Sequence, residues 1–138
     1  IGASLTVNSH QEDAVATILE ATDRRGVDAA LIAAGFSPVL NQAIAVVRPQ
    51  GKVVVVALFD DVVTIEQPNF FVTGEKTITS SWGETLQDFK KAIEIIAGGR
   101  INVEDFITHR FPLERTKEGI ELLEKRHEDC IKIILEIE

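Results

Sequence analysis

Residues 26–35 read GVDAALIAAG, and residues 51–58 read GKVVVVAL. Asp28 is the only charged side chain in the first run, and Val53–Val56 form an unbroken string of valine in the second. A strand with one wet face alternates apolar and polar residues. These two runs do not alternate, which is the pattern of strands in a parallel sheet covered on both faces.

The flanking sequence fits that reading. Ser37-Pro38 opens a helix, because a proline in the first turn lacks an N–H that has no partner there anyway. Leu40, Ala43, Ile44 and Val47 then recur at helical spacing, and Pro49-Gln50-Gly51 stops them. Upstream, Leu5-Thr6-Val7 is a short β-prone run. Ser9-His10-Gln11-Glu12 has the capping-box pattern, followed by Ala14, Val15, Ile18 and Leu19 on one helical face. Downstream come the run Val62–Glu66, a loop through Pro68, and the strand KTITSSW at 76–82. Thr85-Leu86-Gln87-Asp88 starts a further helix with Phe89, Ala92, Ile93 and Ile96 directed inward, and Gly98-Gly99 ends it. Alternating strands and helices predict βαβ units in an α/β fold.

The last third changes character. FITHRFPL (106–113) alternates like a half-exposed strand, ERTKEGIELLEKR (114–126) is amphipathic, and CIKIILEI (130–137) is a final strand. Pairs such as Glu121–Lys125, one turn apart, mark a solvated helix face.

Composition excludes several functions. The 138 residues carry 22 acidic and 14 basic side chains, a net charge of −8, which disfavours nucleic-acid phosphates and anionic membranes as partners. No apolar run reaches the roughly 20 residues of a membrane helix. One cysteine cannot form an internal disulfide, which suits a reducing, cytoplasmic setting. The chain starts without methionine, directly on an apolar strand, so a piece of a longer protein is expected.

GVDAALIAAG, GKVVVVAL and KTITSS follow one another at the spacing of later strands in a nucleotide-binding domain. Residues 98–126, GGRINVEDFITHRFPLERTKEGIELLEKR, are followed by IKIIL. Together these segments resemble the C-terminal part of medium-chain, zinc-type alcohol or polyol dehydrogenases, over essentially the whole chain. The resemblance implies a partial Rossmann fold, a doubly wound parallel sheet lacking its first two strands, followed by a short α+β tail. Residues 1–98 would be the incomplete nucleotide-binding domain, and 99–138 a segment that returns to an absent catalytic domain. With spatial order 3-2-1-4-5-6, the missing strands would lie between Leu5–Val7 and Val27–Ala34. Either a collapsed sheet pairing those two segments or strand exchange between chains is then expected.

The same resemblance implies NAD or NADP as cofactor, an alcohol, polyol or amino alcohol as substrate, and zinc in the absent catalytic domain. A zinc-independent quinone or enone reductase of the same superfamily, or a non-catalytic nucleotide-binding or dimerisation module, is the alternative. No three glycines fall at the G-x-G-x-x-G spacing, so no tightly bound cofactor is expected on this chain, and alone it should be inactive. His10, His109, His127 and Cys130 offer no tetrahedral ligand set, so neither metal ligands nor catalytic residues are assigned. Cofactor contacts are expected at the carboxyl ends of the strands: Ala33, Ala34 and Gly35, then Ala57 and Leu58, then Thr79 and Ser80. Lys132 matches a position able to approach the pyrophosphate. Ile32 departs from the family, where Glu is frequent, and Ala57 departs where Gly is common. Trp82 either packs or walls a substrate pocket. The strand at 77–81 would pair with its twin in a homodimer.

Overall fold

The structure, a computed structural model, describes residues 2–125 and 130–137. Arg126, where the last helix was expected to end, and His127 lie outside the described residues. The chain divides into two compact units, one spanning Ala3–Gly83 and the other built chiefly from Glu84 onward.

The first unit is a parallel sheet with helices between its strands. Helix α1 (Ala14–Ala21) leads to strand β1 (Val27–Ile32), helix α2 (Ser37–Val46), strand β2 (Val47–Val55), helix α3 (Pro68–Thr73) and strand β3 (Thr77–Ser80). The strands lie in the order β1-β2-β3, so the valine run is central and bonded on both sides. Pro38 sits in the first turn of α2, as its sequence indicates. Ile32, Ala43, Ile44, Val47 and Val53 form the buried core between α2 and the sheet. Val53 is fully buried, which stabilises the fold by roughly 1.5–3 kcal/mol.

Among the described residues only one face of the sheet is covered. Leu31 is 69% exposed and Val56 39%, against 1% for the neighbouring Ile32. Apolar content alone therefore overstated the burial of these strands: successive side chains point to opposite faces, and α2 packs on one of them.

Two amino-terminal expectations fail. Leu5–Val7 forms no strand and pairs with nothing in the described sheet, so the collapsed sheet does not occur. Three residues make too few ladder bonds to offset their ordering, and Leu5 is left half exposed beside a groove of about 600 Å³ that Val27 also lines. The capping box at Ser9 does not form either. The Asn8 carbonyl accepts from the Gln11 and Glu12 amides at 2.9 and 3.1 Å, closing a turn ahead of the helix. The helix starts five residues later than Ser9, where the Asp13 carboxylate accepts from the Val15 and Ala16 amides, both at 3.0 Å.

Two side chains, Asn41 and Lys76, tie the unit together with three tertiary bonds. Asn41 on α2 donates to the Thr64 carbonyl at 2.9 Å and accepts from the Glu66 amide at 3.1 Å. Residues 62–66 thus run extended on a side-chain clamp and join no sheet. Lys76, only 7% exposed, donates its ammonium to the Ile44 carbonyl in the last turn of α2 at 2.6 Å. It stands 4.0 Å from the Phe70 ring centroid, and burial pushes its pKa down.

In the second unit, α4 (Leu86–Ala97) opens on the expected cap: Thr85 Oγ1 accepts from the Asp88 amide at 3.2 Å and Asp88 returns to the Thr85 amide at 3.0 Å. Its apolar stripe is not directed inward. Phe89, Ile93 and Ile96 are 60%, 52% and 44% exposed, because among the described residues no element covers them. Strands β4 (Ile107–Pro112) and β5 (Lys132–Glu136) pair in parallel around α5 (Thr116–Glu124). Thr108 Oγ1 fills the register slip, accepting from the Ile131 amide at 3.1 Å. On α5 the ion pairs are Arg115–Glu118 at 2.7 Å and Lys117–Glu121 at 3.8 Å, while Glu121–Lys125 is not formed. All are exposed and add little stability.

Arg24 holds a left-handed backbone at φ 58°. Arg24→Gly should therefore raise stability by about 1 kcal/mol, read as a higher urea midpoint at unchanged slope. Lys76→Met strands a buried carbonyl and should lower stability by roughly 1–3 kcal/mol, while Lys90→Met on exposed α4 should change it little.

Candidate functional site

The three parallel strands stop level with one another. Ile32 is opposite Val55, and Val55 is opposite Ser80. Beyond those positions the ladder closes with a few bonds. The Val56 and Ala57 amides both donate to the Ile32 carbonyl, at 3.0 and 3.2 Å, and the Ser81 amide donates to the Val55 carbonyl at 3.0 Å. The chain then leaves the sheet at Ala33–Gly35, Ala57–Leu58 and Thr79–Ser80, three neighbouring exits on one edge. Seven of the eight residues chosen from sequence are brought together there. Lys132, exposed at the start of β5, belongs to the other compact unit.

Local sequence explains the exits. Gly35 approaches the Leu58 carbonyl so closely that a Cβ built at residue 35 would overlap it. The glycine thus serves the internal packing of two strand exits, a role its sequence position does not announce. Ala33, Ala34 and Gly35 are exposed, and Ala57 is half-buried. Small side chains thus line the first and third exits, where the residues are exposed. Around it stand large apolar side chains: Phe36 is 65% exposed, Leu58 70% and Trp82 79%. Among the described residues Trp82 is therefore largely uncovered.

Ile32 is turned the other way, into the core beside Val53 and Ile44. A carboxylate at this position would be buried among hydrocarbon, so here the residue supplies packing and no charge.

The seven residues at the edge include no acid, base or thiol. Cys130 is a half-buried free thiol. Among the described residues no three His, Cys, Asp or Glu side chains are grouped to hold a metal ion. The edge can present peptide N–H and C=O groups, two hydroxyls and apolar walls. That inventory can orient a flat polar ring, and it contains no group for proton transfer or Lewis-acid chemistry.

Sequence reasoning missed Asn41, Lys76 and a groove lined by Arg24, Arg25 and Arg48 at the opposite ends of the strands. Their partners lie 20 or more residues away in sequence for Asn41–Thr64, Lys76–Ile44 and Arg48–Asp28. No local pattern encodes such pairings.

The family model described as zinc-binding dehydrogenase matches residues 1–98. D-arabitol-phosphate dehydrogenase of Enterococcus avium is 29% identical over 136 residues, covering 99% of this chain and 38% of the relative. L-threonine 3-dehydrogenase of Pyrococcus horikoshii is 29% identical over 125 residues, covering 89% of this chain and 36% of the relative. Among solved structures, an alcohol dehydrogenase from Thermotoga maritima superposes with a TM-score of 0.87 at 29% identity, over 99% of this chain and 38% of that one. The chain thus spans less than two-fifths of the proteins it matches.

Gly35→Ala should force the exits of β1 and β2 apart. A loss of roughly 2–4 kcal/mol in urea unfolding is expected, with new amide shifts at Leu58 and Phe59. A neutral substitution would mean the two exits are not in contact.

Proposed function

The chain belongs to the zinc-binding dehydrogenase family, and on that premise we propose that it is the later part of the nucleotide-binding half of an oxidoreductase. The reaction is hydride transfer between NAD or NADP and an alcohol, polyol or amino alcohol. The observation that carries this reading is the level edge of three parallel strands, with small exposed residues at the first and third exits and a half-buried Ala57 at the middle one. Ligands of doubly wound sheets lie against that edge. The names of the arabitol-phosphate and threonine relatives support the substrate class.

When bound, the nicotinamide supplies the carbon that gives or takes the hydride. The role of this chain is to position it. Peptide groups at Ala33–Gly35, Ala57–Leu58 and Thr79–Ser80 hold the carboxamide side of the ring by hydrogen bonds. Phe36, Leu58 and Trp82 exclude water from it. Lys132 is assigned to the pyrophosphate, its ammonium matching that charge.

Zinc does not fit the described residues, with one free thiol and no ligand cluster, so no step is routed through a metal here. Zinc and the acid–base groups are assigned to the rest of a longer protein. We place the boundary of the nucleotide-binding part at residues 98–99, with 99–138 returning to the catalytic domain. Among the described residues no strand pairs with the outer edge of β3. That edge is proposed to meet its twin in a homodimer, with strand exchange through the amino-terminal segment as the other route. Sedimentation of this chain as a monomer at all concentrations would remove both. A cytoplasmic setting is proposed from the single free thiol.

NADH added to the labelled 138-residue chain should shift amide signals at 33–35, 57–58 and 79–80, with weak affinity in the absence of a glycine-rich phosphate loop. Shifts confined to other residues would contradict the site. Turnover of an alcohol, a polyol or threonine by this chain alone would contradict the assignment of catalysis elsewhere.

A further inference from the structure

At the opposite ends of the strands, a groove of about 350 Å³ is lined by Arg24, Arg25, Arg48 and Lys76, with Phe70 and Thr73 among its walls. No acidic residue lines it. That is the reverse of the chain's overall balance of 22 acids against 14 bases. Asp23 and Glu75 adjoin Arg24 and Lys76 in the chain, and Asp28 is bonded to two of the arginines. Asp28 takes a forked pair of bonds from Arg25, both at 3.1 Å, and a third from Arg48 at 2.6 Å. The hydrogen bond from Arg25, reinforced by Arg48, holds the Asp28 carboxyl down to about 2, so it stays ionised at neutral pH. The lining itself carries four cationic side chains, and Asp28 is shared by two of them. Among the described residues Arg24 has no ion pair.

The helix ends around the groove do not consume that charge. The Leu19 carbonyl of α1 accepts from the Arg24 amide at 2.7 Å, and the Phe70 carbonyl of α3 accepts from the Gly74 amide at 3.3 Å. The Ile44 carbonyl of α2 is met by Lys76 at 2.6 Å. Lys76 is thereby committed, Arg25 is held by Asp28, and Arg48 is held by Asp28 and by the Pro49 carbonyl at 2.8 Å, so Arg24 is the guanidinium left to face a ligand. Asp23 and Arg24 are held in the left-handed region, at φ 49° and 58°, where glycine would relax the turn. The chain carries an arginine at a position whose backbone favours glycine.

We propose that this groove binds a small phosphate-bearing anion, with Arg24 as its free ligand and the Asp28-bound Arg25 and Arg48 adding positive charge beside it. Planar guanidinium donors suit phosphate oxygens better than an ammonium does. The site lies at the amino ends of the strands, away from the edge assigned to the cofactor, so the two ligands do not compete.

Inorganic phosphate and glycerol 1-phosphate are titrated separately into the labelled chain, with sodium chloride at matched ionic strength as control. Saturable amide shifts at Arg24, Arg25, Gly26 and Arg48 are expected with phosphate and not with chloride. Arg24→Gly removes the free ligand while relaxing the turn, so it should weaken phosphate binding roughly tenfold without loss of thermal stability. Lys90→Ala, on exposed α4, should leave affinity unchanged. Tighter binding of glycerol 1-phosphate identifies an ester as the ligand, and equal binding identifies free phosphate. Chloride reproducing the shifts, or Arg24→Gly binding phosphate as the parent does, overturns the proposal.

Discussion

The first unit depends on the double ladder of β2. Its residues Lys52–Val55 pair with β1 on one side and β3 on the other, in register at every position. The three strands end at one rung of this ladder, Ile32, Val55 and Ser80. The exits at Ala33, Ala57 and Ser80 are therefore adjacent as a consequence of pairing, and no specific bond among those residues is needed to gather them. The fully buried Val53 side chain anchors this ladder to α2.

From that constraint the division of labour between the two ends of the sheet follows. At the carboxyl ends the chain leaves through small residues, exposed at the first and third exits. At the amino ends it turns through left-handed residues, a buried lysine and a set of guanidinium groups. The first end suits a flat, neutral, hydrogen-bonding ring. The second suits compact negative charge.

How much of this was legible in sequence depended on the range of the interaction. The valine run, the Ser37-Pro38 start and the Thr85–Asp88 box are local signals, and the structure keeps each of them. The seven candidate residues proposed from sequence gather at one end of the sheet because strand ends follow from strand identities. Exposure was not legible. Leu31 and Phe89 are as apolar as Ile32, and only the arrangement of neighbouring elements decides which of them is covered. The Leu5–Val7 run and the Ser9 box failed for a related reason, since a strand needs a partner and a cap competes with the turn that Asn8 closes. Asn41, Lys76 and Arg48 act on residues distant in sequence, where periodicity carries no information.

The candidate edge is a product of the β2 ladders. Native-state amide hydrogen exchange tests it most directly. The account predicts that the Val56, Ala57 and Ser81 amides, which close the ladder, exchange as slowly as those of Val53–Val55, while Leu5–Val7 exchange freely. Fast exchange at Val56 and Ser81, or protection at Leu5–Val7 matching the central strand, would show that a different sheet organises the chain and would contradict the account.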